Sequence, residues 1–375
     1  MPNPFAHALI AWQKRAGRHD LPWQQIGERT DPYRVWLAEI MLQQTQVAAV
    51  IPYYMRFLER FPTLTTLAVA PLDDVMQRWS GLGYYSRARN LHAAARRVVD
   101  DLGGAFPRDV RAIAGLPGIG RSTAAAIAVF AFGARAAILD GNVRRVLARV
   151  FAIEGVPSQK PVEKRLWALA ETLVPDRNIA AYTQGLMDLG ATVCTPARPN
   201  CAQCPFADAC IAHIEDRIAE LPRKRVRAAL PERAITMLAV THRGAVLLER
   251  RPPAGIWSGL WSLPEALALA AGGAEKARAF AERHGAIESV ARLPSFVHGF
   301  THFRLAVDVL RIELASCKDS SRASRVEAPN LDLRWLPCEQ ADRIGLPAPV
   351  RTLFESSLRY QGKASRSRGD GRVPS

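Results

Sequence analysis

No apolar run in this chain of 375 residues approaches the roughly 20 residues that a membrane-spanning helix needs, which argues against a bilayer-spanning protein. The first twenty residues also lack the unbroken apolar stretch of a secretory signal, because Gln13, Lys14 and Arg15 interrupt it. A soluble intracellular protein is expected. Acidic residues are in short supply: 35 Asp and Glu stand against 50 Lys and Arg, a net charge of +15. The basic end of the chain supplies only a minor share of that excess, since residues 361–375 hold Lys363, Arg366, Arg368 and Arg372 against Asp370. A basic surface spread over a folded protein favours a polyanionic partner, because each phosphate it neutralises releases condensed counterions. Internal repeats are absent.

What is present is enough apolar material, 49% of residues, for two cores, and at roughly 150 residues per domain two domains are the natural expectation. Strand-like alternation is scarce in residues 1–222, where helical periods follow one another over Tyr33–Val50, Leu64–Trp79, Ser86–Leu102, Arg121–Phe132 and Asn142–Phe151. A basic connector, Arg223-Lys224-Arg225-Val226-Arg227, opens a linker over 223–233. Beyond it the character changes. Ala234–Thr241 and Ala245–Arg250 read as two strands joined by His242-Arg243-Gly244, followed by a helix over Ala274–His284 and a further strand over Phe303–Ile312. The fold class expected is a mostly α region over 1–222 plus an α+β domain over 234–360, with a disordered basic tail over 361–375.

Six cysteines could form disulfides, but four of them crowd into residues 194–210, which without a secretory signal points to a metal. Cys194, Cys201, Cys204 and Cys210 are spaced C-x6-C-x2-C-x5-C and could wrap tetrahedral zinc or a 4Fe–4S cluster. Structural zinc sites more often use two close pairs, and only one occurs here. Cys317 and Cys338 carry no usable pattern.

Two further features bear on polyanion binding and catalysis. Leu116-Pro117-Gly118-Ile119-Gly120 precedes the helix over Arg121–Phe132, so Gly118 and Gly120 can let backbone N–H groups converge on a phosphate beside a positive helix end. Asp140-Gly141-Asn142 opens another helix, where an Asp ordinarily serves as N-cap. Glu39 is the one ionisable group in the apolar stretch Val35–Leu42, and desolvation there would raise its pKa.

The ordered set of hairpin, aspartate and four cysteines resembles the endonuclease-three-like helix–hairpin–helix DNA glycosylases over about residues 20–222. That resemblance implies a 4Fe–4S cluster at the four cysteines, with a loop carrying Arg198 near the DNA backbone. It also implies that Asp140 stabilises the sugar cation as the base departs, or attacks it covalently. Glu39-Ile40-Met41-Leu42-Gln43-Gln44-Thr45-Gln46 further resembles the signature of the adenine DNA glycosylases, in which the matching glutamate protonates the flipped adenine on its imidazole ring nitrogen. Such chemistry parallels glycoside hydrolysis, where one acid protonates the leaving group and a carboxylate faces the oxocarbenium-like sugar.

By the same resemblance Leu42, Gln43, Gln44 and Thr45 contact the DNA where the flipped base leaves its stack, and Tyr84, in Gly81-Leu82-Gly83-Tyr84-Tyr85, inserts beside the oxidised guanine opposite. Trp23 and Gln184 are expected to line the adenine pocket. Arg121 and Ser122 continue the hairpin's DNA contact. Relatives that also cleave the strand place a lysine where this chain has Ser122, so hydrolytic base removal without a Schiff base is expected. Gly259-Leu260-Trp261-Ser262-Leu263-Pro264-Glu265 resembles the start of a Nudix domain. Residues 266–287 offer only Glu275 and Glu282, too few acids to hold magnesium for nucleotide hydrolysis. The domain is therefore expected to recognise 8-oxoguanine, through Thr301 and His302 of Phe300-Thr301-His302. The resemblance thus implies a monomeric, cytoplasmic, bacterial nucleoid-associated enzyme. Its partner is double-stranded DNA carrying adenine opposite 8-oxoguanine or guanine.

Overall fold

The computed structural model of the chain describes residues 3–24, 31–225, 229–252, 254–266, 273–318, 325–328 and 331–358. The expected tail over 361–375, part of the connector and residues 25–30 lie outside the described residues. Backbone contacts divide the chain into two compact units, residues 1–70 with 89–227 and residues 71–88 with 228–375. The sequence places residues 71–88 among the helices of the first part. In space they group with the C-terminal unit.

The first unit is helical. Helix α1 (Pro4–Ala16) starts at Asn3, whose side chain accepts from the Phe5 and Ala6 amides. Helix α2 (Pro32–Leu42) is capped by Asp31, which accepts from Tyr33 N at 2.9 Å, and buries Val35, Trp36, Leu37, Ala38, Ile40 and Met41. A single helix over Tyr33–Val50 is the sequence expectation. The structure instead breaks it, and α3 (Val47–Arg60) starts anew after a turn. Gln44 takes a positive φ of 57° there, and Thr45 N bonds Leu42 O. Apolar periodicity continues across the turn, so hydrophobic pattern alone does not register it. Leu64–Trp79 is likewise split into α4 (Leu64–Ala68) and α5 (Leu72–Trp79), because Pro71 disfavours helical backbone at Ala70 before it.

Helices α6 (Ser86–Leu102), α7 (Val110–Ala114), α8 (Arg121–Phe132), α9 (Gly141–Val150), α10 (Lys160–Leu173) and α11 (Ile179–Asp188) follow. A short α12 (Ile211–Ile214) closes the cysteine loop. Helix α8 is the central rod: Ala124 through Val129 are all buried, and its small residues let neighbouring helices approach closely. One apolar core joins α1, α8, α9, α10 and α11 through Leu9, Ala125, Val143, Leu147, Leu166 and Leu186.

The second unit is a mixed sheet with strand order β5-β6-β1-β2-β8-β7. Its strands are β1 (Glu232–His242), β2 (Ala245–Arg250), β3 (Trp261–Ser262), β4 (Glu265–Ala266), β5 (Ile287–Gly299), β6 (Arg304–Leu314), β7 (Arg325–Ala328) and β8 (Leu331–Pro337). Strands β1 and β2 meet at a two-residue turn in which Arg243 and Gly244 both have positive φ, 46° and 77°, as the twist of a tight hairpin requires. Beyond that turn β1 pairs with β6 in parallel, and β5 with β6 antiparallel. Helix α13 (Gly273–Glu282) buries Ala277 and Ala281 on the sheet, and α14 (Ala348–Leu353) runs into a π-helical turn over Phe354–Leu358 that ends the described fold.

Candidate active site and nucleic-acid interface

A cavity of about 430 Å³ opens in the helical unit, lined by Trp23, Glu39, Leu42 and Gln184 among others. Four residues, the outermost 161 positions apart in sequence, thus share one chamber. Trp23 is buried and meets the Tyr54 ring edge-on at 5.4 Å, forming a flat apolar wall. Gln184 is set by Asp188, whose carboxylate accepts from its Nε2 at 2.8 Å. Asp188 is itself fully buried and held by Arg18, through the backbone N at 2.9 Å and Nε at 2.7 Å. Sequence reading missed Arg18, His19 and Asp188. Arg18 and Asp188 are 170 residues apart, and no local spacing signals their pairing.

Glu39 reaches the cavity from α2. Burial is the main cause that pushes its carboxyl up to about 8, and the negative charge of Asp140 adds to it. Asp140 is the N-cap of α9 and accepts from Val143 N at 2.7 Å. Burial raises its pKa as well, opposed by the amides of Val143 and Asn142 and by the charges of Arg145 and Arg144. The two acids therefore differ in kind. Among the causes of its shift Glu39 has none that favours ionisation, so it keeps its proton at neutral pH. Asp140 has four, together with the positive end of α9.

The hairpin lies beside this pair. Gly118 has a φ of 77°, and a Cβ there would meet the Asn90 side chain at 2.7 Å, so both conformation and space demand glycine. Gly120 is the N-cap of α8 and faces open space. Gln43, at the end of α2, donates to Thr123 Oγ1 at 3.3 Å on the helix that follows the hairpin. Ser122 accepts from Leu139 N at 2.9 Å, which fixes the segment that delivers Asp140. Arg121 turns away from the hairpin: its guanidinium stacks on Trp167 at 3.8 Å and pairs with Glu171. Leu42 lines the cavity, while Gln44 is exposed and Thr45 half-buried in the turn after it.

Cys194, Cys201, Cys204 and Cys210 line one cavity with Val146 and Val150 of α9. Among the described residues, no three His, Cys, Asp or Glu side chains converge as they would around one metal ion. Two arginines of α9 bind the loop. Arg145 donates to Cys194 O at 2.7 Å and Gly190 O at 2.6 Å, and Arg149 donates to Thr195 O at 2.8 Å and Leu221 O at 2.8 Å. Arg149 also approaches Cys194 Sγ at 3.4 Å and is only 2% exposed, although its place in the sequence reads as a polar helix face.

In the second unit Tyr84 and Thr301, 217 positions apart, bring their hydroxyls to 3.5 Å. Tyr84 is a large exposed aromatic with a φ of 48°, in a turn where Gly81 and Gly83 are also positive at 101° and 78°. Thr301 and His302 are exposed between β5 and β6, on a foot of aromatics. Phe300 stacks on Phe303 at 4.6 Å and meets His298 at 4.7 Å.

Comparison with known proteins agrees with this geometry. The family model of the HhH-GPD superfamily of base excision DNA repair proteins matches residues 37–172, and that of the NUDIX domain matches residues 235–356. A solved thermostable thymine-DNA glycosylase superposes with a TM-score of 0.50 at 32% identity, covering 56% of this chain and 95% of its own. The chain is therefore a DNA glycosylase of base excision repair, with a helix–hairpin–helix region and a C-terminal Nudix-like domain. The adenine DNA glycosylase of Buchnera aphidicola subsp. Acyrthosiphon pisum is 35% identical over 94% of this chain and 97% of its own length. The human adenine DNA glycosylase is 34% identical over 96% of this chain and 74% of its own. The chain belongs to the adenine DNA glycosylase family, and its activity is the removal of adenine from DNA.

Proposed function

We propose that the enzyme excises adenine lying opposite 8-oxoguanine or guanine in double-stranded DNA, with Glu39 as general acid and Asp140 facing the sugar. The observation that carries this reading is the pair of unlike carboxyls, one lining a cavity roomy enough to admit adenine with its pKa pushed up to about 8, the other on a helix N-terminus. Adenine flipped into the chamber stacks against Trp23 and meets Gln184 at its edge. Glu39 gives its proton to an imidazole ring nitrogen. The glycosidic bond breaks with its electron pair passing to the purine. Asp140 faces the positive charge left on the sugar and can also bond to it directly. Water then adds at the sugar carbon and returns a proton to the carboxyl pair. With Ser122 at the position where relatives that also cleave the strand carry a lysine, no amine is there to form a Schiff base, so the product is an intact abasic strand.

Cys194, Cys201, Cys204 and Cys210 hold a 4Fe–4S cluster in this reading. All four thiols line one cavity, and four thiolates gathered there suit a compact soft-metal centre. The cluster braces the loop whose carbonyls bind Arg145 and Arg149 of α9, the helix that starts at Asp140. Gly118, Gly120 and the turn of Gln43, Gln44 and Thr45 contact the backbone and the vacated stack, while Tyr84, Thr301 and His302 read the opposite base. The protein acts as a monomer on chromosomal DNA, in the bacterial cytoplasm. Incubation with duplexes holding adenine opposite 8-oxoguanine, guanine or thymine tests the reading, with abasic sites scored before and after alkali. Release confined to the first two, with strand breaks appearing only after alkali, is expected; equal release opposite thymine would overturn it.

A further inference from the structure

Tyr84 holds a left-handed backbone that residues with a Cβ rarely adopt, so its surroundings must impose that conformation. Part of the constraint is local. Trp79 Nε1 donates to Gly83 O at 3.1 Å, Gly81 N to the Tyr85 hydroxyl at 3.2 Å, and Arg87 Nη2 to Gly83 O at 3.2 Å. The rest comes from the far end of the chain. Ser80, the residue that opens the turn, donates its hydroxyl to Leu346 O at 2.7 Å and accepts from Arg351 Nη2 at 3.1 Å. Arg351, from α14, also reaches Ile344 O at 3.4 Å, and Gln77 donates to Asp342 O at 2.8 Å. Gly345 lies so close to α5 that a Cβ there would stand 3.2 Å from the Met76 backbone. At the other end of α5, Asp73 pairs with Arg250, which also faces Asp332 at 3.2 Å.

We propose that Arg351, acting through Ser80, is a positioning residue that holds the Tyr84 turn for reading the base opposite the excised adenine. The C-terminal unit then frames both members of the reading pair, because Thr301 rises from its aromatic foot and the turn that bears Tyr84 is tied through Ser80 to Arg351 of α14. This rests on the reading that Tyr84 contacts the opposite base. Discrimination between 8-oxoguanine and guanine depends on a side chain that touches neither.

The test uses the full-length protein and single-turnover excision of adenine opposite 8-oxoguanine and opposite guanine, with the ratio of the two rates as readout. Arg351→Ala is expected to lower the ratio about three- to tenfold, Arg351→Lys to recover part of it, and Ser80→Ala to act in the same direction. A general loss of stability would slow both substrates together and leave the ratio unmoved. In a Tyr84→Ala background, Arg351→Ala should lower the ratio no further. An unchanged ratio in both Arg351→Ala and Ser80→Ala, or an undiminished effect without Tyr84, overturns the proposal. A wild-type enzyme that releases no adenine from either duplex overturns instead the function on which it rests.

Discussion

The Ser122 hydroxyl accepts a hydrogen bond from the amide of Leu139 at 2.9 Å, and the next residue along is Asp140. Ser122 thus seats the segment that delivers Asp140. Ser122→Ala leaves a part-buried amide without that acceptor. A loss of about 1–2 kcal/mol in denaturant midpoint analysis is expected, together with slower excision from looser placement of Asp140. Unchanged stability and rate would show that the bond does neither.

Glu39→Gln keeps shape and reach but has no proton to give, so single-turnover excision should fall at least about a hundredfold while binding to the mispair persists. Asp140→Asn should be similarly slow, because it removes the charge that faces the sugar cation. Near-normal rates in either variant would remove that residue from the mechanism.

The wild-type pH profile should fall on the alkaline side, as Glu39 ionises near 8. Stability follows the same sign. A carboxyl whose pKa is raised on folding stabilises the native state below its unfolded value and loses that contribution as pH rises through about 8. Glu39→Gln should therefore melt higher than wild type at pH 9, by on the order of 1–3 kcal/mol, and the difference should shrink towards pH 5. Calorimetry at the two pH values decides, and a difference that grows on acidification would contradict the assignment.

Purified protein should be brown, with broad absorbance at roughly 400 nm, and Cys204→Ser should bleach it. Arg149→Met should make the colour more labile to oxidant, because the guanidinium ties Cys194, Thr195 and Pro196 to Leu221 across the loop. A colourless protein with one tightly held zinc would contradict the cluster.

A fragment ending near Leu230 should still excise adenine, since Asp140 and Glu39 with the cavity it lines belong to the first unit. It loses Thr301 and His302 along with the partners of Asp73, Gln77 and Ser80, so discrimination between 8-oxoguanine and guanine should drop further than in a double Thr301→Ala, His302→Ala variant. Equal ratios in whole chain, fragment and double variant would show that the C-terminal unit reads nothing. Nonspecific affinity and its salt slope should barely change, because hairpin contacts to phosphate remain.

The features legible in the sequence are those written locally. Gly118 and Gly120 sit two apart, four cysteines fall within 17 residues, and Glu39 is conspicuous because everything around it is apolar. The break of α2 at Gln43 is not legible, since Leu42 and Val47 keep the apolar rhythm on either side. Arg149 is hidden in another way: the carbonyls that satisfy its buried guanidinium arrive from residues 46 to 72 positions away. The grouping of Ser80 with Arg351 across 271 positions has no local trace at all.

That last grouping sets an order of events during synthesis. Asp73 leaves the ribosome well before Arg250, with which it pairs across 177 positions, a delay of roughly 10–30 s at the usual speed of translation. Through that interval the nascent helical unit must carry residues 71–88 as an unfinished excursion, its Met76 face still waiting for Gly345. A repair enzyme whose chain is interrupted after the cysteine loop would emerge able to bind DNA, yet with the turn that bears Tyr84 unmoored.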